Sequence, residues 1–347
     1  MRAQILKHGV FLCFDSDLTD DGGEPINVEI SAIAWNGRRL VFGSDKNIPG
    51  AHRSPVFALD VDDTGRPLPD SLAFYTADLI KTAEKYEDFA LSDDGQYLIA
   101  STGFDRADDN DAHMDRYNRL LVWPCDDASA PTLVGDDEND GIRSSVGLRE
   151  DLAAALGAPY FKVEGLASMP ADDGRDPLLL FGIREVGRAH DDFAYVCQVV
   201  GAPYRIDDGH LRFTGAFEVV YEFEPRAFEA VRFDVGLSSL EYDPAGGALY
   251  FLTSFEVDDG HGGDQLGAYL WYLSTADFQA GRAPSLVQDE SGHTLEFTNK
   301  AEGVAVLPGG DLFVVYDPDR KLDLADHHPR DERHPGEAPY TLLRLHD

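Results

Sequence analysis

Five segments of this 347-residue chain repeat one pattern. An internal repeat constrains a fold more than any single motif, because it defines the unit that must be stacked. The segments begin Glu29-Ile-Ser-Ala32, Glu87-Asp-Phe-Ala90, Glu164-Gly-Leu-Ala167, Ser238-Ser-Leu-Glu241 and Glu302-Gly-Val-Ala305. Each passes through a short polar turn into an apolar run, at 40–43, 97–100, 178–182, 249–252 and 312–315. Small residues with period-2 alternation, a turn rich in Gly, Asp and Pro, and a β-rich second run together read as a β-hairpin. Further strand candidates at 55–61, 119–123, 193–200, 216–223, 269–273 and 340–345 complete four-stranded blades.

The expected fold is therefore all-β: a single β-propeller over residues 1–347, five-bladed with six as the fallback count. Repeat starts lie roughly 60 to 80 residues apart, longer than the ~40 to 50 of common blades, so each blade carries insertions. Short inserted helices are expected at 77–86 and 146–156. Asp-Asp-Gly at Asp20, Asp93, Asp172, Asp207 and Asp258 is hairpin-turn chemistry before it is metal chemistry. The segment 323–338, with His327, His328 and His334, reads as a surface loop.

Composition narrows function mainly by exclusion. A formal charge of −35 makes nucleic acid and anionic membranes poor partners, since both need a positive field. No apolar run reaches the ~18 residues of a membrane span, and residues 1–14 lack the cleavage site of a signal peptide. A cytoplasmic location is the expectation. Cys13, Cys125 and Cys197 are odd in number and far apart, as suits reduced thiols.

The sharpest chemical signal precedes the repeats. Lys85-Tyr-Glu87, Lys162-Val-Glu164 and Lys300-Ala-Glu302 share Lys-x-Glu, and the first repeat has Asn27-Val-Glu29. Residues i and i+2 of a strand point the same way, and first strands of blades line a propeller's channel. Lys and Glu should thus converge on the axis, with a gap at Gly236 and Ser238. Cations follow the second strands: Lys46 beside Asp45, Arg106 beside Asp105, Arg184 beside Glu185, and Arg320 and Lys321 after Asp317 and Asp319. Clustered Glu suits Ca²⁺, which takes six to eight oxygens. The interleaved Lys suit a phosphate or carboxylate instead. Mutual neutralisation of buried polar groups explains the same ring without any ligand.

Val163-Glu164-Gly-Leu-Ala167 followed by 178–182 and Ile183-Arg184 resembles the phytase-like esterase propellers and an uncharacterised bacterial propeller family, over about residues 80–320. The resemblance implies Ca²⁺-dependent phosphoester hydrolysis. On this chain it implies Glu29, Glu87, Glu164 and Glu302 as metal positions, with Glu87, Glu164 and Glu302 as catalytic carboxylates. It implies Lys162, Lys300, Arg184 and Arg320 on a small anionic substrate, to which the Lys-x-Glu ring and the cations after the second strands add Lys85 and Arg106. A second likeness, to the regucalcin and paraoxonase lactonases, implies one Ca²⁺ at the channel mouth, to which Asn27 and Asn299 could contribute; Lys162 does not fit it. The alternative from another class is a non-catalytic propeller whose ring is structural and whose surface binds a protein.

Weaker signals complete the reading. Asp136-x-Glu138-x-Asp140-Gly141 copies half of a calcium loop but has Gly147 where a bidentate Glu belongs. Asp60-x-Asp62-x-Thr64-Gly65 reads as a turn, and His113 and His190 are acid-base candidates near the mouth.

Overall fold

Each repeat forms the innermost hairpin of a blade, and the blade grows outward from it. The computed structural model describes residues 1–347 except 16, 21, 106–110, 172–173, 259–263, 319–320, 325–329 and 347. Blade one comprises Ile30–Trp35, Leu40–Ser44, Val56–Leu59 and Ala73–Phe74. Blade two comprises Tyr86–Leu91, Tyr97–Thr102, Leu120–Pro124 and Thr132–Leu133. Blade three has Tyr160–Met169, Leu178–Ala189 and Asp192–Asp207, edged by His210–Phe213 and Glu218–Glu222. Blade four has Gly236–Asp243, Ala248–Asp258 and Asp264–Ser274, edged by Ser285–Leu286 and Glu296–Phe297.

The fifth blade joins the two ends of the chain. Ala301–Val306, Asp311–Tyr316 and Glu337–His346 are followed in space by Arg2–Leu12, antiparallel to the last of them. The ring is thus closed by backbone pairing, which covers an edge that would otherwise be free. The opening residues, which show no strand signal as clear as the repeats, are the strand that shuts the propeller.

Five apolar clusters form the core, one in each seam between neighbouring blades. Phe42 and Phe313 meet between blades one and five, Tyr86 and Val41 between one and two, Ile99 and Phe181 between two and three. Leu180 and Phe251 meet between three and four, and Leu252 and Val314 between four and five. Where blades three and four pack closest there is room only for glycine: a Cβ on Gly182 would stand 2.4 Å from the Leu237 side chain of the next blade. Of the expected helices, 77–86 shrinks to Asp78–Lys81 and Val146–Leu156 is present, stopped by left-handed Gly157. No helix among the described residues is long and apolar enough to cross a membrane.

A β-bulge interrupts all five inner hairpins. Pairing skips one residue between Ile30 and Ala32, Tyr86 and Asp88, Val163 and Gly165, Leu237 and Ser239, and Ala301 and Gly303. The unpaired residues are Ser31, Glu87, Glu164, Ser238 and Glu302. A bulge re-aims its side chain, and here it does so at the same level around the axis.

The pairing corrects one alignment made on sequence. Glu29 is not the counterpart of Glu87, Glu164 and Glu302; Ser31 is. Glu29 lies two residues earlier, level with Lys85, Lys162, Gly236 and Lys300. Backbone bonds mark the equivalence: the amides of Asp45, Gly103 and Asp317 donate to the carbonyls of Glu29, Lys85 and Lys300 at 2.9, 3.0 and 3.0 Å. Ser31-Ala-Ile-Ala34 alternates like Glu29-Ile-Ser-Ala32, so a slip of two residues leaves the period-2 pattern intact.

Candidate functional site

The inner strands begin at one end of the channel, and there the bulges deliver Glu87, Glu164 and Glu302, all buried. The site divides into two halves of different chemistry.

The half on blades two to four is a closed ionic network. Lys162 Nζ pairs with Glu164 on its own strand and reaches Glu87 of the neighbouring blade at 3.4 Å. Arg184 Nη1 lies 3.1 Å from Glu164 Oε2 and donates to Ser254 Oγ of blade four at 2.8 Å. Gly236 makes this crossing feasible, since a Cβ there would fall 2.5 Å from Arg184 Cγ. The expected gap in the fourth repeat is therefore the space through which Arg184 passes. Burial alone would raise the Glu164 pKa, but Arg184 and Lys162 outweigh it and hold the group at about 2. Burial pushes Glu87 well above the usual carboxyl range, against Lys162.

Beside this network stands an aromatic group. Tyr160 donates its hydroxyl to Glu185 at 2.9 Å and its ring lies 5.9 Å from Phe193. Phe193 packs edge-on to Tyr195, over which the Arg184 guanidinium sits at 5.1 Å. Phe193 and Tyr195 are each 37% exposed, large for aromatic residues in a folded chain.

The half on blades five and one is acidic. Glu29, Asp45 and Asp317 each present a carboxylate oxygen, and the three atoms lie within 4.8 Å of one another. Like charges so close need compensation. Lys46 Nζ supplies part of it, 3.0 Å from Glu29 and 3.3 Å from Asp45, and Lys300 lies 3.7 Å from Asp317. Burial and Asp317 raise the Glu29 pKa to about 7 despite Lys46. Asp45 is lowered: burial opposes this, but Lys85 and Lys46 prevail. Glu302, paired with Lys300 at 2.8 Å and accepting from Ser31 Oγ at 3.2 Å, is nonetheless raised, chiefly by burial.

This acidic half fits a hard cation. Ca²⁺–oxygen bonds of about 2.4 Å place oxygens on opposite sides of an ion at roughly the observed spread. The buried Asp45 Oδ1 has no hydrogen-bond partner, and neither has Asn27 Oδ1 two residues ahead of Glu29. Buried acceptors are normally satisfied, so an unsatisfied one beside two further carboxylates marks a place for a positive ligand.

The sequence-derived positions thus fall unevenly. Glu29 joins the acidic trio, whereas Glu87, Glu164 and Glu302 do not share a single ligand cage with it. Lys85, at φ +60°, turns to Asp105 at 3.3 Å. Arg106, Asp319, Arg320, His327 and His328 lie outside the described residues. His113 sits 3.5 Å from Glu84, and His190 is exposed at a hairpin tip. Asp136–Gly141 is no calcium loop: Asp136 is held by Arg143 through two 2.7 Å bonds, and Asp140-Gly141 turns a short hairpin. At Asp62 the carboxylate accepts from Thr64 and Arg66, as expected of a turn.

Sequence reasoning missed Arg333. It is buried, donates to the carbonyls of Lys321, His334, Pro335 and Glu337, and its charge acts on Asp317 and Glu29. Its place in a polar loop gave no signal. All three cysteines are free thiols.

No family model matches the chain, and no curated protein matches it. The resemblance to phytase-like propellers therefore stands on its short motif alone. Among solved structures, a gluconolactonase from Xanthomonas campestris is 12% identical, with 97% of this chain and 90% of that chain covered and a TM-score of 0.40. An α-L-arabinanase from Penicillium chrysogenum is 10% identical over 90% and 80%, TM-score 0.40. A GH43 endo-arabinanase from Bacillus licheniformis is 14% identical over 92% and 93%, TM-score 0.39. At these scores the likeness carries neither activity nor substrate over to this chain.

Proposed function

We propose that the protein is a hydrolase of a small anionic ester, assisted by a divalent cation held by Glu29, Asp45 and Asp317. One observation carries the reading: Glu29, Asp45 and Asp317 bring carboxylate oxygens within 4.8 Å of one another, and Asp45 also has a buried oxygen with no donor. When bound, the cation would neutralise and polarise the ester oxygens.

The chain's own residues supply the rest. Lys46 and Lys300 border the trio and can hold an anionic group as point charges. Glu87, whose pKa burial raises well above the usual carboxyl range, is the residue assigned to proton donation to a leaving oxygen. Phe193 and Tyr195 offer apolar surface to the body of the substrate.

In this reading Lys162, Glu164 and Arg184 are structural. They neutralise one another within hydrogen-bonding distance, so the ring is part scaffold and part site. The test is turnover of a panel of phosphomonoesters and lactones by metal-stripped protein, with and without added Ca²⁺ or Mg²⁺. Cation-dependent turnover lost in Asp317→Asn supports the proposal. Absence of turnover across the panel in cation-loaded protein counts against it.

A further inference from the structure

The opposite end of the channel carries a second feature. A cavity of about 540 Å³ opens there, lined from all five blades by residues including Trp35, Asp93, Ser168, Glu241, Tyr242 and Leu307. The two ends are separated by a polar knot. The Asp88 carboxylate accepts from the amides of Phe89, Leu166 and Leu240 and from Ser239 Oγ at 2.9 to 3.2 Å. The Ser239 hydroxyl oxygen accepts in turn from the Val304 amide at 3.3 Å. Blades two to five are tied together between the ring and the cavity, so the cavity is not the inner end of the acidic site.

Its chemistry is the reverse of a site for anions. Asp93, Glu241 and Asp243 are acidic, and among the described residues lining it none is basic. Asp243 has a local duty, accepting from the Ala245 amide at 2.9 Å in a turn, and Asp93 is exposed. Glu241 is different. It lies on an inner strand, where the other blades put Ala34, Ala90, Ala167 and Ala305. Its Oε1 accepts from the Val306 amide at 3.1 Å, and the carboxyl borders the cavity. A carboxyl at an alanine position in a largely apolar wall is costly without a ligand or a proton. Trp35 and Tyr242 supply aromatic surface, which attracts cations through the ring face. The volume falls in the range typical of small-molecule sites.

We propose that this cavity binds a small organic ammonium ion with an apolar body, its charge received by Glu241 and its body by Trp35 and the flanking aliphatic side chains. The inference is independent of the ester-hydrolase reading, since no residue is shared between the two ends.

The test uses full-length protein and an isosteric set: benzylamine as the cation, benzyl alcohol as the neutral form and benzoate as the anion. Trp35 is half-buried at the cavity whereas Trp123 and Trp271 are core residues, so tryptophan fluorescence reports occupancy, with Trp35→Phe as the control. Saturable quenching by benzylamine is expected, with affinity on the order of tenfold or more above the alcohol and the benzoate, as a charge-assisted hydrogen bond provides. Glu241→Gln should remove that preference, and Asp45→Asn at the other mouth should leave it unchanged. Equal binding of all three probes, a preference for benzoate, or no saturable response to any would overturn the proposal. Should Glu241→Gln not fold, the comparison of three probes on the unaltered protein decides alone.

Discussion

Glu29 stands in the first blade where Lys300 stands in the fifth: the carbonyl of each accepts the amide of an aspartate, Asp45 and Asp317 respectively, at 2.9 and 3.0 Å. Substituting an acid for a lysine at one position of a repeating ring turns a balanced set into a local excess of carboxylate. The excess costs stability when no cation is present. Glu29→Gln should therefore stabilise metal-stripped protein by about 0.5–2 kcal/mol, the usual scale for relieving a site built for function. Urea unfolding of stripped parent and variant reads the difference; a destabilised variant would mean that Lys46 already balances the trio.

Gly236 holds open the passage for Arg184. Adding one methyl, Gly236→Ala, should displace the guanidinium from Glu164 and Ser254 and destabilise by about 1–3 kcal/mol, as overpacking does. Thermal unfolding tests this, and an unchanged midpoint would show that Arg184 has another route.

Asp88 ties three blades directly through four donors. In Asp88→Asn an amide nitrogen replaces one accepting oxygen, leaving at least one buried donor unpaired at about 1–3 kcal/mol. The variant should unfold at lower urea without change in the slope, because the folded surface is unaltered.

Glu241 sets a pH dependence whose sign is fixed. Burial, reinforced by Asp243 and opposed by the Val306 amide, raises its pKa from the ordinary 4.5 to about 8. The native state then holds a proton that the unfolded state releases, so stability from this group is complete below 4.5 and is lost as pH rises toward 8. The slope is at most about 1.4 kcal/mol per pH unit. Glu241→Gln should flatten the urea midpoint over that window while the parent declines. Parallel profiles would show that Glu241 does not set the dependence.

Most of the fold was legible because a propeller repeats itself. The five hairpins, the all-β class and the Val146–Leu156 insertion all follow from local pattern. Arg2–Leu12 was not legible as the closing strand, since its partner Glu337–His346 lies at the other end of the chain. The Lys-x-Glu motif points to the channel mouth, yet it does not single out the acidic trio. Asp45 and Asp317 follow the second strands of blades one and five; Asp45 is held to Glu29 within one hairpin, and closure of the ring brings Asp317 to both. The two-residue slip at Glu29 shows the same limit: period-2 alternation identifies a strand's face but not its bulge, and the bulge decides which side chains reach the axis.

Calorimetric titration of Ca²⁺ into metal-stripped protein, run beside Asp45→Asn and Glu164→Gln, shows whether the acidic trio holds a cation. A cation site at the trio gives saturable binding of one ion per chain, lost or severely weakened in Asp45→Asn and retained in Glu164→Gln, whose carboxylate is engaged by Lys162 and Arg184. No binding by the parent, or binding that Glu164→Gln abolishes and Asp45→Asn leaves intact, would contradict it.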